Sequence, residues 1–268
     1  MKNSACLVIF FFLNCAQAEI SFDGFTLEAH STAPHQLQLI DSNEQAFRQR
    51  LLLIKSAKKS IFIDIFYLMH DESGKQILAA LVNKKLHSPE IDIRIHLDSW
   101  GSATFTDSYL ALLQNYGIQI RRYLGPKFFY IGPNRKNHRK TWIIDNRVAL
   151  LGGYNMGNEH FGFSPVFNMI DRDVLIEGPI VPAISEAFEL VWKQTPEQRF
   201  TGEASAALDL QGAEADIKPQ TIPVITVRNL HYISNIQRQD EPSQLLRDRV
   251  GEFLNSAKSR IVIETKFF

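Results

Sequence analysis

The chain has 268 residues, 45% of them hydrophobic, and its 29 basic and 29 acidic side chains balance to a formal charge of zero. That length and apolar share permit one large or two modest domains with a full core, and they exclude a disordered chain. A zero overall charge excludes a global field that would draw the protein to nucleic acid or to acidic membranes.

In chain order, the N-terminus carries one lysine, Lys2, the apolar run Ala5 to Leu13, and Ala16-Gln17-Ala18 before Glu19. This is the layout of a secretory signal peptide cleaved after Ala18, and the run is short for a membrane span. The expectation is therefore an exported protein, periplasmic or membrane-associated, with residues 1–18 as signal peptide. Both cysteines, Cys6 and Cys15, fall inside that leader, so neither disulfides nor cysteine-metal sites are expected in the mature chain.

Residues 19–40 lack a clear period and contain Pro34, and they read as an arm with one short strand. From Ser42 to Lys59 the apolar residues Ala46, Leu51, Ile54 and Ala57 recur at helical spacing behind Ser42 as N-cap. Ile61 to Tyr67 is a strand, and Ser73 opens a second helix through Ile77, Leu78, Leu81 and Val82. Ile91 to Leu97 alternates as a strand. A third helix from Asp107 to Tyr116 is ended by Gly117 and leads into a strand from Ile118 to Tyr123. The β-α-β-α-β rhythm predicts an α/β fold with a mixed, mainly parallel sheet flanked by helices.

Gly125 to Asn137 reads as a loop feeding Asn137-His138-Arg139-Lys140-Thr141-Trp142-Ile143-Ile144-Asp145. The β-branched and aromatic residues there predict a buried strand, on which His138 and Lys140 share a face while Asp145 points away as a supporting carboxylate. From Arg121 to Arg147 there are eight basic residues against the single acid Asp145, so this window expects an anion. Histidine beside lysine suits phosphate chemistry, because the ammonium holds a phosphoryl oxygen while the imidazole attacks or moves a proton. Gly152-Gly153 would let the backbone approach an anion, and Asn155 can donate an amide hydrogen bond. His160 is assigned no direct role.

His138-x-Lys140-x4-Asp145 followed by Gly152-Gly153-Tyr154-Asn155 resembles the phospholipase D superfamily, and Asn137-His138-Arg139-Lys140 is most similar to its bacterial cardiolipin synthase branch. The resemblance implies metal-independent phosphodiester transfer or hydrolysis on phospholipids through a phosphohistidine, with no cofactor. It also implies a carboxylate on the strand before Gly178 that orients the catalytic histidine. Asp173 is the first candidate and Asp171 the second. The candidate catalytic set is His138, Lys140, Asn155, Asp145 and Asp173. A phosphatidylglycerol-like lipid and a membrane surface are the implied partners, and Phe128-Phe129-Tyr130 and Phe161-Gly162-Phe163 are candidates for apolar surface near the site.

Asp173 to Glu177 reads as a strand, and Gly178-Pro179 starts a helix with Ile184, Ala187, Phe188, Val191 and Trp192 at core spacing. Residues 19–196 form the catalytic half, and 197–222 a linker. Residues 223–268 read as the start of an incomplete second half. There Ser56-Ala57-Lys58 recurs as Ser256-Ala257-Lys258, and Ile61-Phe62-Ile63-Asp64 as Ile261-Val262-Ile263-Glu264, each behind an amphipathic helix, Gln244 to Asn255 in the second case. The implied chemistry needs two histidine motifs, so the other comes from a missing C-terminal half or a homodimer partner. Two other functions compete. One is an exported nuclease of the same superfamily, which the neutral charge disfavours. The other is a non-catalytic, truncated family member.

Overall fold

The computed structural model describes residues 18–24, 26–103, 106–123, 137–203, 210, 219–236, 244–256 and 258. Residues 1–17 of the expected signal peptide (1–18), Phe128-Phe129-Tyr130 and the repeat segment Ile261 to Glu264 lie outside the described residues.

Three strands come first, β1 (Glu19–Phe22), β2 (Thr26–Ser31) and β3 (His35–Ile40), where the sequence suggested an arm with one. β2 and β3 lack a readable period because they pair with strands far along the chain, Leu230–Asn235 for the one and Asp173–Glu177 and Val224–Val227 for the other, while β1 is exposed and pairs only with β2. Next come α1 (Asn43–Ser56), β4 (Ser60–Ile65), α2 (Glu72–His87), β5 (Asp92–Asp98), α3 (Asp107–Asn115) and β6 (Gln119–Tyr123). Ser42 caps α1 by accepting the N–H of Gln45 at 3.2 Å, and α2 is capped by Asp71 rather than starting at Ser73. The motif hairpin is β7 (Lys140–Ile144) and β8 (Val148–Gly152). Its three-residue connection places Asp145 and Asn146 at φ 55°, the left-handed region, and Arg147 N closes the turn on the Ile144 carbonyl at 2.9 Å. A short helix α4 (Asn158–Phe161), β9 (Asp173–Glu177), α5 (Val181–Gln194), β10 (Val224–Val227), β11 (Leu230–Asn235) and α6 (Gln244–Asn255) complete the chain.

Eight strands form one sheet in the order β10-β3-β9-β8-β7-β4-β5-β6, and β1-β2-β11 form a second. The large sheet is mixed and α/β. Parallel pairing is confined to β4-β5 and β5-β6, and the other five pairings are antiparallel. The expectation of a mainly parallel sheet is corrected here: the crossover rhythm runs only from β4 to β6, and the motif then returns as a hairpin. β10 and β11 join β3 and β2, so residues 224–235 are built into the sheets of the N-terminal strands.

Strand alternation splits the core. Ile61, Ile63 and Ile65 of β4, Ile93, Ile95 and Leu97 of β5, and Trp142 and Ile144 of β7 pack under α1, α2 and α3. Phe62, Ile143, Ala149 and Ile176 face α5, which buries Ile184, Ala187, Phe188, Val191 and Trp192, each worth about 1–3 kcal/mol. Leu27 and Ala29 of β2 pack in the same cluster. No helix among the described residues is long and apolar enough to cross a membrane.

Candidate active site

Five strand ends meet at one edge of the sheet. β4 and β5 leave it through Phe66 and Asp98, β7 enters at Lys140, β8 leaves at Gly152 and β9 enters at Asp173. The register pairs Ile65 with Lys140 and Gly152 with Asp173. His138 lies two residues ahead of β7 rather than on it. The pair nevertheless sits side by side, because the Lys140 side chain folds back: its Nζ is 3.2 Å from His138 Nδ1 and donates to the His138 carbonyl at 2.9 Å. Phe66 floors both, with its ring 4.6 Å from the His138 ring and 5.1 Å from Lys140 Nζ.

The two groups differ in exposure. His138 is exposed to solvent, whereas Lys140 is only 7% exposed. Burial pushes the Lys140 ammonium down from 10.5 to about 8, and the carboxylates of Asp171, Asp64 and Asp98 hold it from falling further. The edge thus holds a partly desolvated cation beside an accessible imidazole, and an incoming anion would relieve that desolvation.

On the α5 face, a buried polar cluster fixes the residues around His138. Asp64 Oδ1 lies 3.0 Å from His96 Nδ1, whose Nε2 is 2.8 Å from Thr195 Oγ1 at the end of α5. Asn137 donates its side-chain amide to Asp64 Oδ1 and its backbone N–H to Asp98 Oδ2 at 2.6 Å. Burial pushes the Asp64 carboxyl up, but His96, Arg139 and the Asn137 amide overcome it and hold the group below its ordinary value. An ionised Asp64 therefore anchors Asn137, immediately before His138.

The remaining candidates separate. Asp145 lies in the turn at the opposite end of β7, where its carboxylate accepts the N–H groups of Lys58 (2.9 Å), Lys59 (2.6 Å) and Ser60 (2.9 Å). It joins the hairpin to the start of β4 and does not reach the motif edge. Asp173 is buried against Arg50 at 2.9 Å, and Arg50 also donates to the Tyr154 carbonyl at 3.1 Å. The expectation that Asp173 orients His138 is corrected on that ground, since its charge is already taken up in the core under α1. Asp171, named second, is the carboxylate of β9's approach that acts on Lys140.

The glycine pair has a different use from the one expected. A Cβ on Gly152 would overlap the Arg172 carbonyl and Asp173, and one on Gly153 would overlap the Asp171 carboxylate. The pair makes room for the protein's own carboxylates, not for a bound anion. Asn155 is buried, its Oδ1 accepting from Tyr67 N at 3.2 Å and its Nδ2 3.3 Å from His160 Nε2. Tyr67 follows Phe66, so Asn155 belongs to the same corner, with His160 behind it. Phe161 and Phe163 pack on Phe47 at 5.3 and 5.0 Å, so they are core aromatics and not lipid-facing surface.

The family described as cardiolipin synthase, PLD-like domain, matches residues 51–192, more than half of the chain. The chain belongs to this family. Cardiolipin synthase B of Salmonella typhi is 32% identical to it over 191 residues, covering 64% of this chain and 45% of that protein. Cardiolipin synthase of Clostridium perfringens (strain SM101 / Type A) is 25% identical over 241 residues, covering 88% and 48%. The chain spans about half the length of these curated relatives. Among solved structures, NucT from Helicobacter pylori superposes with a TM-score of 0.50 at 17% identity, over 61% of this chain and 99% of that one, a likeness of fold alone.

In this member of the cardiolipin synthase PLD-like family, sequence reading missed Asp64, His96 and Asp98. The available signal was the acid at 64 interrupting an apolar strand; His96 and Asp98 sit on the polar alternation of β5, and the register that pairs Asp64 with His96 puts all three on one face. A buried ionisable group on a central strand needs a partner, and here the partner is the motif itself.

Proposed function

We propose that the chain carries one catalytic half-site of a phosphodiester-transferring enzyme of cardiolipin synthase type, with phospholipids as substrate. The observation that supports this best is the exposed His138 imidazole set 3.2 Å from the desolvated Lys140 ammonium. In this reading a His138 ring nitrogen attacks phosphorus, and the phosphorus–oxygen bond to the leaving alcohol breaks, giving a phosphohistidine. A histidine from a second motif protonates that alcohol. It then takes the proton of the acceptor hydroxyl, whose oxygen displaces the ring nitrogen. Lys140 and the Asn155 amide neutralise the phosphoryl oxygens, where negative charge builds up in the transition state.

Asp171, beside Lys140, would orient the imidazole and support its positive charge. The second motif comes from a longer chain or from a second copy. A signal peptide over residues 1–18 would put the reaction on the exported side of the membrane, and N-terminal sequencing of the secreted protein should then begin at Glu19.

The test uses purified protein with labelled phosphatidylglycerol vesicles and, separately, with plasmid DNA, each beside His138→Ala. Lipid turnover that disappears in the variant supports the reading. DNA cleavage that disappears in the variant would instead make the chain a nuclease, and silence in both assays would sink the half-site as an independent catalyst.

A further inference from the structure

Two loops at the motif edge present large apolar side chains to solvent. Trp100, after β5, is 65% exposed, and Val166, Phe167 and Ile170, between α4 and β9, are 86%, 56% and 81% exposed. Both loops are built to hold these residues outward. The Trp100 turn is pinned by Asp98, whose Oδ1 accepts Trp100 N at 2.9 Å and Gly101 N at 3.2 Å, while its Oδ2 accepts Asn137 N. One carboxylate therefore sets both the indole and the residue before His138. Trp100 also stacks on Phe66, the ring beneath His138, at 6.0 Å.

The second loop is closed on itself. Ser164 N donates to Asn168 Oδ1 at 3.2 Å, and Asn168 Nδ2 donates back to the Ser164 carbonyl at 3.0 Å, which leaves Val166 and Phe167 at the tip. Asn43 Nδ2 holds the Met169 carbonyl at 2.8 Å and Met169 N donates to Glu159 at 2.7 Å, so Ile170 is turned outward next to Asp171.

We infer that Trp100, Val166, Phe167 and Ile170 insert into the surface of an anionic phospholipid bilayer and seat the motif edge at headgroup depth. The inference rests on the phospholipid reading and adds the residues that meet the membrane. A lipid phosphodiester lies at the boundary between headgroups and acyl chains, so a site that attacks it needs apolar side chains at its rim and cations beside them. Arg139, Lys140 and Arg172 supply cations at that edge against the carboxylates of Asp171 and of the buried Asp64 and Asp98, and Arg172 is the exposed one of the three cations. Tryptophan suits that boundary, and aliphatic tips beside cations are the composition of interfacial binding. A stable protein partner would instead take about 800 Å² from each side, more than four side chains on two loops offer.

The experiment measures binding of the full chain to vesicles of phosphatidylglycerol and of phosphatidylcholine by co-sedimentation and by tryptophan emission. Trp142 and Trp192, the other two of the three tryptophans, are buried, so a shift in emission reports Trp100. The expected result is sedimentation and a blue shift with phosphatidylglycerol. Partition should weaken by roughly tenfold or more in Trp100→Ser/Ile170→Ser and in Phe167→Ser. Val224→Ser/Ile225→Ser, on the exposed edge strand β10, should bind like wild type, as should His138→Ala.

Equal binding by all variants overturns the inference. So does a change of oligomeric state in the loop variants with vesicle binding intact, which would assign the rim to a protein interface. Because binding needs no turnover, the two readings fail separately. Lipid turnover with no docking through these residues removes the inference alone, and docking accompanied by His138-dependent DNA cleavage without lipid turnover removes the phospholipid reading alone.

Discussion

The two ends of β7, five residues apart, treat charge in opposite ways. At the turn end, burial pushes the Asp145 carboxyl up, but the N–H groups of Ser60, Lys59 and Lys58 and the Lys84 ammonium overcome it and hold the group below 3.8. At the motif end Lys140 is desolvated and its pKa falls to about 8. One end satisfies a charge with backbone donors to hold the fold, and the other strips a charge of water and keeps it beside an exposed imidazole. A desolvated charge at a sheet edge beside an exposed imidazole is the mark of a candidate functional site.

The largest effect that could break this contrast is on turnover. His138→Ala should lower phosphodiester turnover by about a thousandfold or more while leaving the thermal midpoint unchanged, because the residue is exposed. Next comes the core strut of the motif edge. Asp173→Ala leaves Arg50 charged and buried and should cost about 3–5 kcal/mol in a urea titration, and unchanged stability would refute its role as the partner of Arg50.

Lys140→Met should gain on the order of 1–3 kcal/mol at neutral pH while losing turnover, a trade that a merely structural lysine would not show. The sign follows from the depressed pKa. The folded protein gives up this proton near pH 8 and the unfolded chain near 10.5, so wild-type stability rises with pH across that window and the variant lacks the rise. Turnover that needs the ammonium should fall as pH climbs through about 8.

The smallest effect is at the turn. Asp145→Asn should cost about 1 kcal/mol and keep turnover. The wild-type contribution is present above pH 3.8 and lost as pH falls below it, so acid unfolding should be less steep in the variant. Turnover lost in proportion to that of Lys140→Met would sink the distinction between the two ends.

How much was legible depended on whether the cause was local. The Ser42 cap and the helix faces follow from residues close in sequence, and the structure places them accordingly, whereas α2 is capped by Asp71 ahead of Ser73 and His138 meets Lys140 from outside the strand. β2 and β3 were hidden because their partners β9, β10 and β11 lie far along the chain. The parallel content was overread because β-α-β grammar stops at β6. Asp173 and Asp171 are two residues apart and chemically identical, and only Arg50, brought in from α1, separates them. Asp64 and His96 read as ordinary strand residues until Asn137 was found between them.

β3 lies between β9 and β10, and β2 between β1 and β11, so the stretch ahead of α1 is an inner member of both sheets. A protein trimmed to begin at Ser42 would strip ladder bonds from three remaining strands, β9, β10 and β11, and bare an edge open to pairing with other chains. Expression trials that cut the chain back past Ile40 should therefore yield aggregates.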